Sequence, residues 1–208
     1  KDLNIEIRQK TLVSALLIFS FMVTLIFTFA LELDKSTREN VAIGVLWVTF
    51  VFSSTLGLNQ TFAYEKDRGS LEGMLLSPID YTAIFIGKFI STYIFVVIVE
   101  IIVIPMFYIL YGIPLFSPVF LLIVLLGSFG YTLVGTLLAT IAMRTRAREI
   151  MLPILLFPVS MPIVIAAVQC SNAIISGANW GQFSSAFNIV VVYDIIFLGV
   201  AIMTFDYL

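Results

Sequence analysis

Two single acidic residues interrupt otherwise apolar stretches of this sequence. Glu100 lies within the apolar run 89–110, and Asp194 lies within the run 183–205. A carboxyl group surrounded by hydrocarbon is energetically costly, so a functional role is the default hypothesis for both residues. The alternative is structural, with a protonated or hydrogen-bonded carboxyl that faces other helices and meets Ser, Thr or Tyr side chains. Lys88 is not a partner for Glu100, because twelve residues of helix would separate them by about 18 Å.

The rest of the sequence lacks the residue types of a catalytic or metal site. It contains no histidine, and its single cysteine, Cys170, cannot form an intrachain disulfide. The seven methionines are interpreted as packing residues. There is no catalytic triad, no metal-ligand spacing and no GxxxxGK[ST] phosphate loop. We therefore expect no catalytic residue, no bound metal and no ATP site on this chain, which is predicted not to be an enzyme.

The segments that carry the two acids are predicted to be transmembrane helices. The chain has 208 residues, of which 61% are hydrophobic and 12% are charged, whereas soluble domains have about 25% charged residues. Long apolar runs can cross about 30 Å of hydrocarbon, and in lipid their backbone groups must be satisfied within a helix. The predicted fold is all-α: one transmembrane domain over 1–208, with six spans at about 11–31, 41–63, 89–110, 116–143, 150–168 and 183–205.

The distribution of Lys and Arg predicts the orientation of these spans. Eight of these residues lie at the N-terminus, in the loop after the second span and in the loop after the fourth. Only Lys35 and Arg38 fall on the opposite side. Because cytoplasmic loops carry the excess of positive charge, both termini are predicted to be cytoplasmic. Residues 3–10 are predicted to form a short amphipathic helix at the membrane interface, with Leu3 and Ile7 on one face. Leu3, Ile5 and Ile7 also alternate as in a strand, which is the alternative. Basic faces with interleaved aromatic residues are absent, so no nucleic-acid partner is expected.

The loop between the second and third spans, 64–81, reads YEKDRGSLEGMLLSPIDY. A glycine–serine pair supplies a turn and an N-cap, and Leu71, Met74 and Leu75 then share one helical face. Pro78 disfavours helix at the residue before it and so ends the segment. A helix of about two turns is too short to be stable alone, so it must pack against its own bundle or a partner. The alternative is an ordinary connecting loop.

This loop resembles the coupling-helix loop of ABC-2-type permeases, and the chain more closely resembles the CcmB family. CcmB proteins are the membrane subunits of the heme exporter in cytochrome c maturation. The pieces that carry the resemblance follow family order from the second span to the fifth. They are Gly44-Val45-Leu46-Trp47-Val48, Asp67-Arg68-Gly69-Ser70-Leu71-Glu72, Leu75-Leu76-Ser77-Pro78, Gly87-Lys88, Pro105, Leu125-Leu126-Gly127, Leu155-Leu156-Phe157-Pro158 and Met161-Pro162-Ile163.

The resemblance implies a multi-pass permease subunit in the bacterial inner (plasma) membrane. It implies a separate CcmA-like ABC ATPase that holds ATP and Mg, a second copy of this chain, other heme-handling membrane proteins of cytochrome c maturation, and contact with membrane lipid. No cofactor is expected on this chain, and heme is the candidate cargo. The residues expected to bind the ATPase, in the cytoplasmic coupling helix, are Arg68, Gly69, Ser70, Leu71, Glu72, Met74, Leu75, Leu76 and Ser77.

Two alternative functions remain open on the sequence. One is an ABC-2 permease for lipid, polysaccharide or drug. The other is a non-transporting membrane scaffold that remodels a heme-binding partner. The absence of histidine bears on heme, because heme iron is most often held by that residue. If heme is involved, its axial ligands are expected on another subunit, or heme passes without ligation.

Overall fold

A computed structural model of the chain describes residue 14 and the ranges 18–29, 35–67, 81–142 and 148–206. These ranges contain helices, turns and short connections but no strand, which confirms the all-helical fold class. The helices are Ile18–Phe29 (α1), Lys35–Asp67 (α2), Tyr81–Tyr111 (α3), Pro118–Ala142 (α4), Arg148–Ile175 (α5) and Trp180–Asp206 (α6).

Five of these helices are long and apolar enough to cross a membrane. The first predicted span, 11–31, is described only at residue 14 and over 18–29, and those residues are helical. Large aliphatic side chains are turned outward on several helices, and Ile109 of α3 is 79% exposed. An apolar outer surface of this kind suits hydrocarbon rather than water. The chain is therefore a multi-pass membrane protein. Its candidate spans are Val41–Asn59, Thr82–Tyr111, Pro118–Ala142, Ile150–Ile175 and Trp180–Thr204.

α4 is the central helix of the described bundle and contacts α2, α3, α5 and α6. Most of its side chains are buried. The buried hydroxyl groups of Ser128 and Thr136 donate hydrogen bonds to backbone carbonyls of the preceding turn. Side chains of neighbouring helices approach the backbone of α4 closely at three glycines, Gly127, Gly130 and Gly135. A methyl group added at Gly127 or Gly135 would collide with α2, and one at Gly130 would collide with α5 and α6. Small residues therefore let other helices approach α4 closely.

Two short connections turn the chain between antiparallel helices. Gly112 follows α3 with a φ of 69°, and Gly177 follows α5 with a φ of 71°. Glycine adopts this left-handed conformation without the steric cost that other residues have, which makes it a common helix terminator. Ser117 caps α4, because its hydroxyl accepts the Phe120 amide at 3.2 Å. α3 with α4, and α5 with α6, consequently form two helical hairpins.

The helices extend beyond the apolar runs from which the spans were predicted. The described part of α2 reaches Asp67, so the first residues of the predicted loop 64–81 are helical. α3 is already helical at Tyr81, whereas the third span was placed from residue 89. α5 continues to Ile175, past the predicted end at residue 168. The apolar candidate spans of α3 and α5, Thr82–Tyr111 and Ile150–Ile175, include these extensions, so the predicted spans were too short at these two ends.

Candidate functional site

Glu100 of α3 is buried between helices, with 2% of its surface exposed. Its Oε2 lies 3.4 Å from the hydroxyl of Ser128 on α4. That distance is long for an O–H···O hydrogen bond, which is usually about 2.7–2.8 Å. The Ser128 hydroxyl makes a shorter bond, of 2.8 Å, to the carbonyl of Val124. The second carboxyl oxygen of Glu100, Oε1, has no hydrogen-bond partner among the described residues.

Glu100 also lines a small cavity between α2 and α3. The volume of this cavity is about 10 Å³. Glu100 lines it together with Ser53 and Ser54 of α2, but almost all of the lining surface is apolar. The Ser53 hydroxyl lies 3.0 Å from the hydroxyl of Ser20 on α1. The other lining residues are apolar or aromatic. They are Phe50, Phe95, Val96 and Val99.

Asp194 of α6 is buried in a different way. It is 7% exposed, and neither carboxyl oxygen has a hydrogen-bond partner among the described residues. Its Oδ1 lies against the backbone of Gly130 on α4. The two are so close that a Cβ atom at residue 130 would collide with this oxygen. The side chain of Ile163 on α5 adjoins the same position. Asp194 is therefore packed at the junction of three helices without a polar contact in the described structure.

The two acids approach α4 at nearly the same level. Ser128 and Gly130 are two residues apart, which corresponds to about 3 Å along a helix axis and roughly 200° around it. Glu100 and Asp194 therefore contact opposite sides of the central helix and do not form one paired carboxyl site. The sequence identified both acids but not their surroundings, since Ser53, Ser54 and Ser128 are ordinary small residues of apolar helices. Gly130 had a sequence signal, because it belongs to the series of glycines in α4.

Hydrogen bonds join other pairs of helices within the described bundle. Four of these bonds involve Trp or Tyr, whose polar group commonly finds a hydrogen-bond partner when the side chain is buried. They are Trp47 Nε1 to Ser171 Oγ (3.0 Å), Thr55 Oγ1 with Tyr131 Oη (2.6 Å), Tyr93 Oη to the Leu125 carbonyl (2.9 Å) and Tyr193 Oη to the Val159 carbonyl (3.1 Å).

Trp47 connects distant parts of the sequence. Its indole is 2% exposed and lies against Gly127 of α4, where no side chain fills the space. Ala167 of α5 adjoins the same glycine, and the indole nitrogen donates to Ser171 one turn later. The Gly-Val-Leu-Trp-Val piece of α2 and the Leu-Leu-Gly piece of α4 thus meet in the core. Two of the sequence pieces that carry the family resemblance are in direct contact.

Comparison with known proteins agrees with these features. The family model described as CcmB protein matches residues 1–206. The chain belongs to the CcmB family. Its relatives in this family include heme exporter protein B of Pseudomonas aeruginosa, 25% identical over 162 residues, covering 77% of this chain and 73% of the relative. Heme exporter protein B of Rhodobacter capsulatus is 25% identical over 172 residues, covering 81% and 78%. That of Bradyrhizobium diazoefficiens is 22% identical over 199 residues, covering 95% and 89%.

The predicted coupling helix of this CcmB-family chain lies outside the described residues, as does the predicted amphipathic helix near the N-terminus. All nine residues expected to bind an ATPase fall within 68–80. The structure does describe the two helices that flank this segment. α2 and α3 contact each other, and the cavity beside Glu100 lies between them. The predicted coupling segment therefore connects two helices that share a packed interface.

Proposed function

We propose that this chain is the membrane-spanning permease subunit of an ABC transporter in the heme-export system of cytochrome c maturation. The observation that carries the proposal is the match of the CcmB family model to residues 1–206. Relatives named heme exporter protein B, which align with up to 95% of the chain, support it. The five long apolar helices suit a permease. We place it in the bacterial inner membrane, where two copies would serve two ATPase subunits.

ATP hydrolysis is assigned to a separate CcmA-like subunit, because this chain has no GxxxxGK[ST] loop to cradle phosphates. We assign the contact with that subunit to residues 69–77. Leu71, Met74 and Leu75 would form its apolar centre, and the charged residues before Gly69 would form a polar rim. Since the segment connects α2 to α3, a movement of the ATPase would act directly on these two helices.

The test combines partner binding with transport. Leu71→Ala together with Leu75→Ala should abolish co-purification of the ATPase, while the membrane subunit still inserts and dimerises. Burying one Leu side chain contributes roughly 1.5–3 kcal/mol, so losing most of two contacts should weaken binding by about two to four orders of magnitude. In vesicles that contain the whole complex, the same variant should lose ATP-driven movement of heme.

Arg68→Ala is the matched control, because an ion pair at a solvent-exposed rim contributes about 0–1 kcal/mol. It should retain most of the ATPase. If the double Leu variant keeps partner binding and activity, residues 69–77 are not the coupling element. If the wild-type complex binds cytochrome c maturation proteins and hydrolyses ATP without moving heme, the chain is a scaffold rather than a permease. Movement of lipid, polysaccharide or drug instead would favour the general ABC-2 alternative.

We further propose that both termini are cytoplasmic, on the basis of the eight-to-two distribution of Lys and Arg. In a Cys170→Ser background, single cysteines at Ser36 and Asn179 should react with an impermeant thiol reagent in spheroplasts. A cysteine at Arg68 should react only after the membrane is permeabilised. Reaction of the Arg68 position in sealed spheroplasts would contradict this orientation.

A further inference from the structure

Three uncharged polar side chains are exposed near the turn of the α5–α6 hairpin. Gln169 lies on α5, and Ser185 and Asn188 lie on α6, each within the candidate span of its helix. None of the three makes a side-chain hydrogen bond to another residue of the described ranges. Exposed polar groups without a partner are unusual in a membrane span, because lipid does not replace the hydrogen bonds that water would make.

The amide of Asn188 lies at a depth where lipid cannot satisfy it. Asn188 follows Trp180, the first residue of the α6 span, by eight residues, or about 12 Å along the helix. The hydrocarbon core is about 30 Å thick, so the position falls inside it. A primary amide has two donor hydrogens and an acceptor oxygen, and hydrocarbon offers a partner to neither. Within a bilayer, Asn and Gln side chains form hydrogen bonds across to another helix.

A groove on α6 adjoins this amide. Its volume is about 410 Å³ and its lining is largely apolar. The lining residues are Ser185, Asn188, Ile189, Val192, Tyr193 and Ile196. Positions 185, 189, 192 and 196 follow the spacing of four and three residues found along a coiled-coil seam. Helices pack by placing the side-chain ridges of one into grooves of the other, so this surface is shaped to receive a helix.

The chemistry of the surface matches a second copy of the same chain. Two copies in one membrane have the same orientation, so Asn188 of one lies at the same depth as Asn188 of the other. An amide both donates and accepts, so two identical amides can pair across a two-fold axis. Residues 150–193 contain no Lys, Arg, Asp or Glu, so a contact between two copies of this surface brings no like charges together.

We propose that the end of the α5–α6 hairpin near Gly177 is the surface on which a second copy of this chain docks, with Asn188 of the two copies paired across the two-fold axis. Ser185 lies about one turn away in the same groove, and Gln169 adds a second amide from α5. The inference rests on the proposed function for the presence of two copies. It adds the surface on which they meet and the side chain that fixes their alignment.

Disulfide cross-linking tests the surface in membranes that contain the whole complex. In a Cys170→Ser background, Asn188→Cys should give a covalent dimer when a mild oxidant is added. Ile109→Cys is the matched control, because Ile109 is 79% exposed near the turn of the other hairpin. It should give little dimer. Equal yields from the two positions, or a cross-link from Asn188→Cys to a different protein only, would overturn the proposal.

A second measurement tests the amide itself. Asn188→Leu should weaken association of the two copies by roughly 3- to 30-fold, since hydrogen bonds between membrane helices are of modest strength. Energy transfer between labelled copies at increasing lipid dilution measures this change. Asn188→Gln keeps the amide and should retain most of the association. Unchanged association of Asn188→Leu would show that the amide does not pair.

The same two measurements separate this inference from the proposed function. A wild-type chain that shows energy transfer, with no cross-link at position 188, would disprove the docking surface and leave the permease proposal intact. A wild-type chain that is present as one copy in an active complex would contradict both the docking surface and the two-copy arrangement of the proposed function.

Discussion

Glu100 and Asp194 look alike in the sequence and differ in the structure. Each is a lone acid near the middle of an apolar helix, and each contacts the central helix α4. Glu100 meets a hydroxyl group and lines a small, largely apolar cavity. Asp194 meets the backbone of Gly130 and has no hydrogen-bond partner among the described residues. One acid lies in a polar site, and the other fills a tight helix junction.

This contrast shows that the neighbours of a buried acid determine what it can do. Glu100 has a hydroxyl neighbour, Ser128, on α4, so its carboxyl can contribute to the packing of α3 against α4. Asp194 has close steric contact but no polar partner in the described structure. Substitution of Asp194 should therefore change stability through helix packing more than through lost hydrogen bonds. Three sets of variants can strengthen or break this distinction.

The largest effect is expected at the Asp194 junction. Gly130→Ala places a methyl group against Oδ1 of Asp194 and the side chain of Ile163. Overpacking a well-packed core usually costs about 1–3 kcal/mol, and the close approach here predicts the upper part of that range. The free energy of unfolding, measured by denaturant titration in mixed micelles, should fall accordingly.

Gly199→Ala is the control on α6, because no atom lies within 4 Å of the position that its Cβ would occupy. It should be nearly neutral. Asp194→Ala combined with Gly130→Ala should recover part of the loss, since the two residues are in contact and their effects should couple. A stable Gly130→Ala protein, without any change at Asp194, would show that the junction is not sterically tight.

A matched pair of truncations should give a smaller difference. Glu100→Ala removes a group with a hydroxyl neighbour and is expected to cost about 1–3 kcal/mol, because the buried Ser128 hydroxyl loses its carboxyl neighbour. Asp194→Ala removes two unsatisfied oxygens and should be close to neutral in the same unfolding measurement. Equal losses for the two variants would contradict the distinction between a polar site and a packing junction.

The smallest effect is expected at Tyr193, the residue beside Asp194. Its hydroxyl donates to the Val159 carbonyl at 3.1 Å, in the turn of α5 that precedes Pro162. Tyr193→Phe removes this one hydrogen bond, and such bonds between membrane helices average about 0.6 kcal/mol. Tyr108→Phe on the exposed face of α3 serves as the control. A loss of several kcal/mol would mean that the hydroxyl does more than form an ordinary interhelical bond.

The helical class could be predicted because it follows from composition and run length. Helix ends could not be predicted in the same way. α5 passes through Ser171 and Asn172, which lower the hydropathy of the sequence and ended the predicted span early. In the structure Ser171 accepts a hydrogen bond from Trp47, a residue more than a hundred positions away. A tertiary partner makes a polar residue acceptable inside the bundle, and no local pattern encodes that partner.

The same limit applies to the candidate site. A lone acid in an apolar run is visible in the sequence, so Glu100 and Asp194 could both be selected. Their different surroundings depend on which residues of α2 and α4 face them, and Ser53 and Ser54 have no local feature that marks them. Gly130 was the exception, because closely spaced glycines in an apolar helix already indicate a close approach. The predicted coupling segment 69–77 lies outside the described residues and remains a prediction.

The short turn that contains Gly112 has a consequence for biosynthesis. It joins the two helices that carry Glu100 and Ser128, so we expect them to enter the bilayer as arms of one hairpin. The carboxyl of Glu100 should then acquire its hydroxyl neighbour when this hairpin forms. Asp194 belongs to the later hairpin, and its contact with Gly130 forms only when the two hairpins assemble. Variants of Gly130 should consequently be recognised by membrane quality control after insertion, whereas variants of Ser128 should be recognised during it.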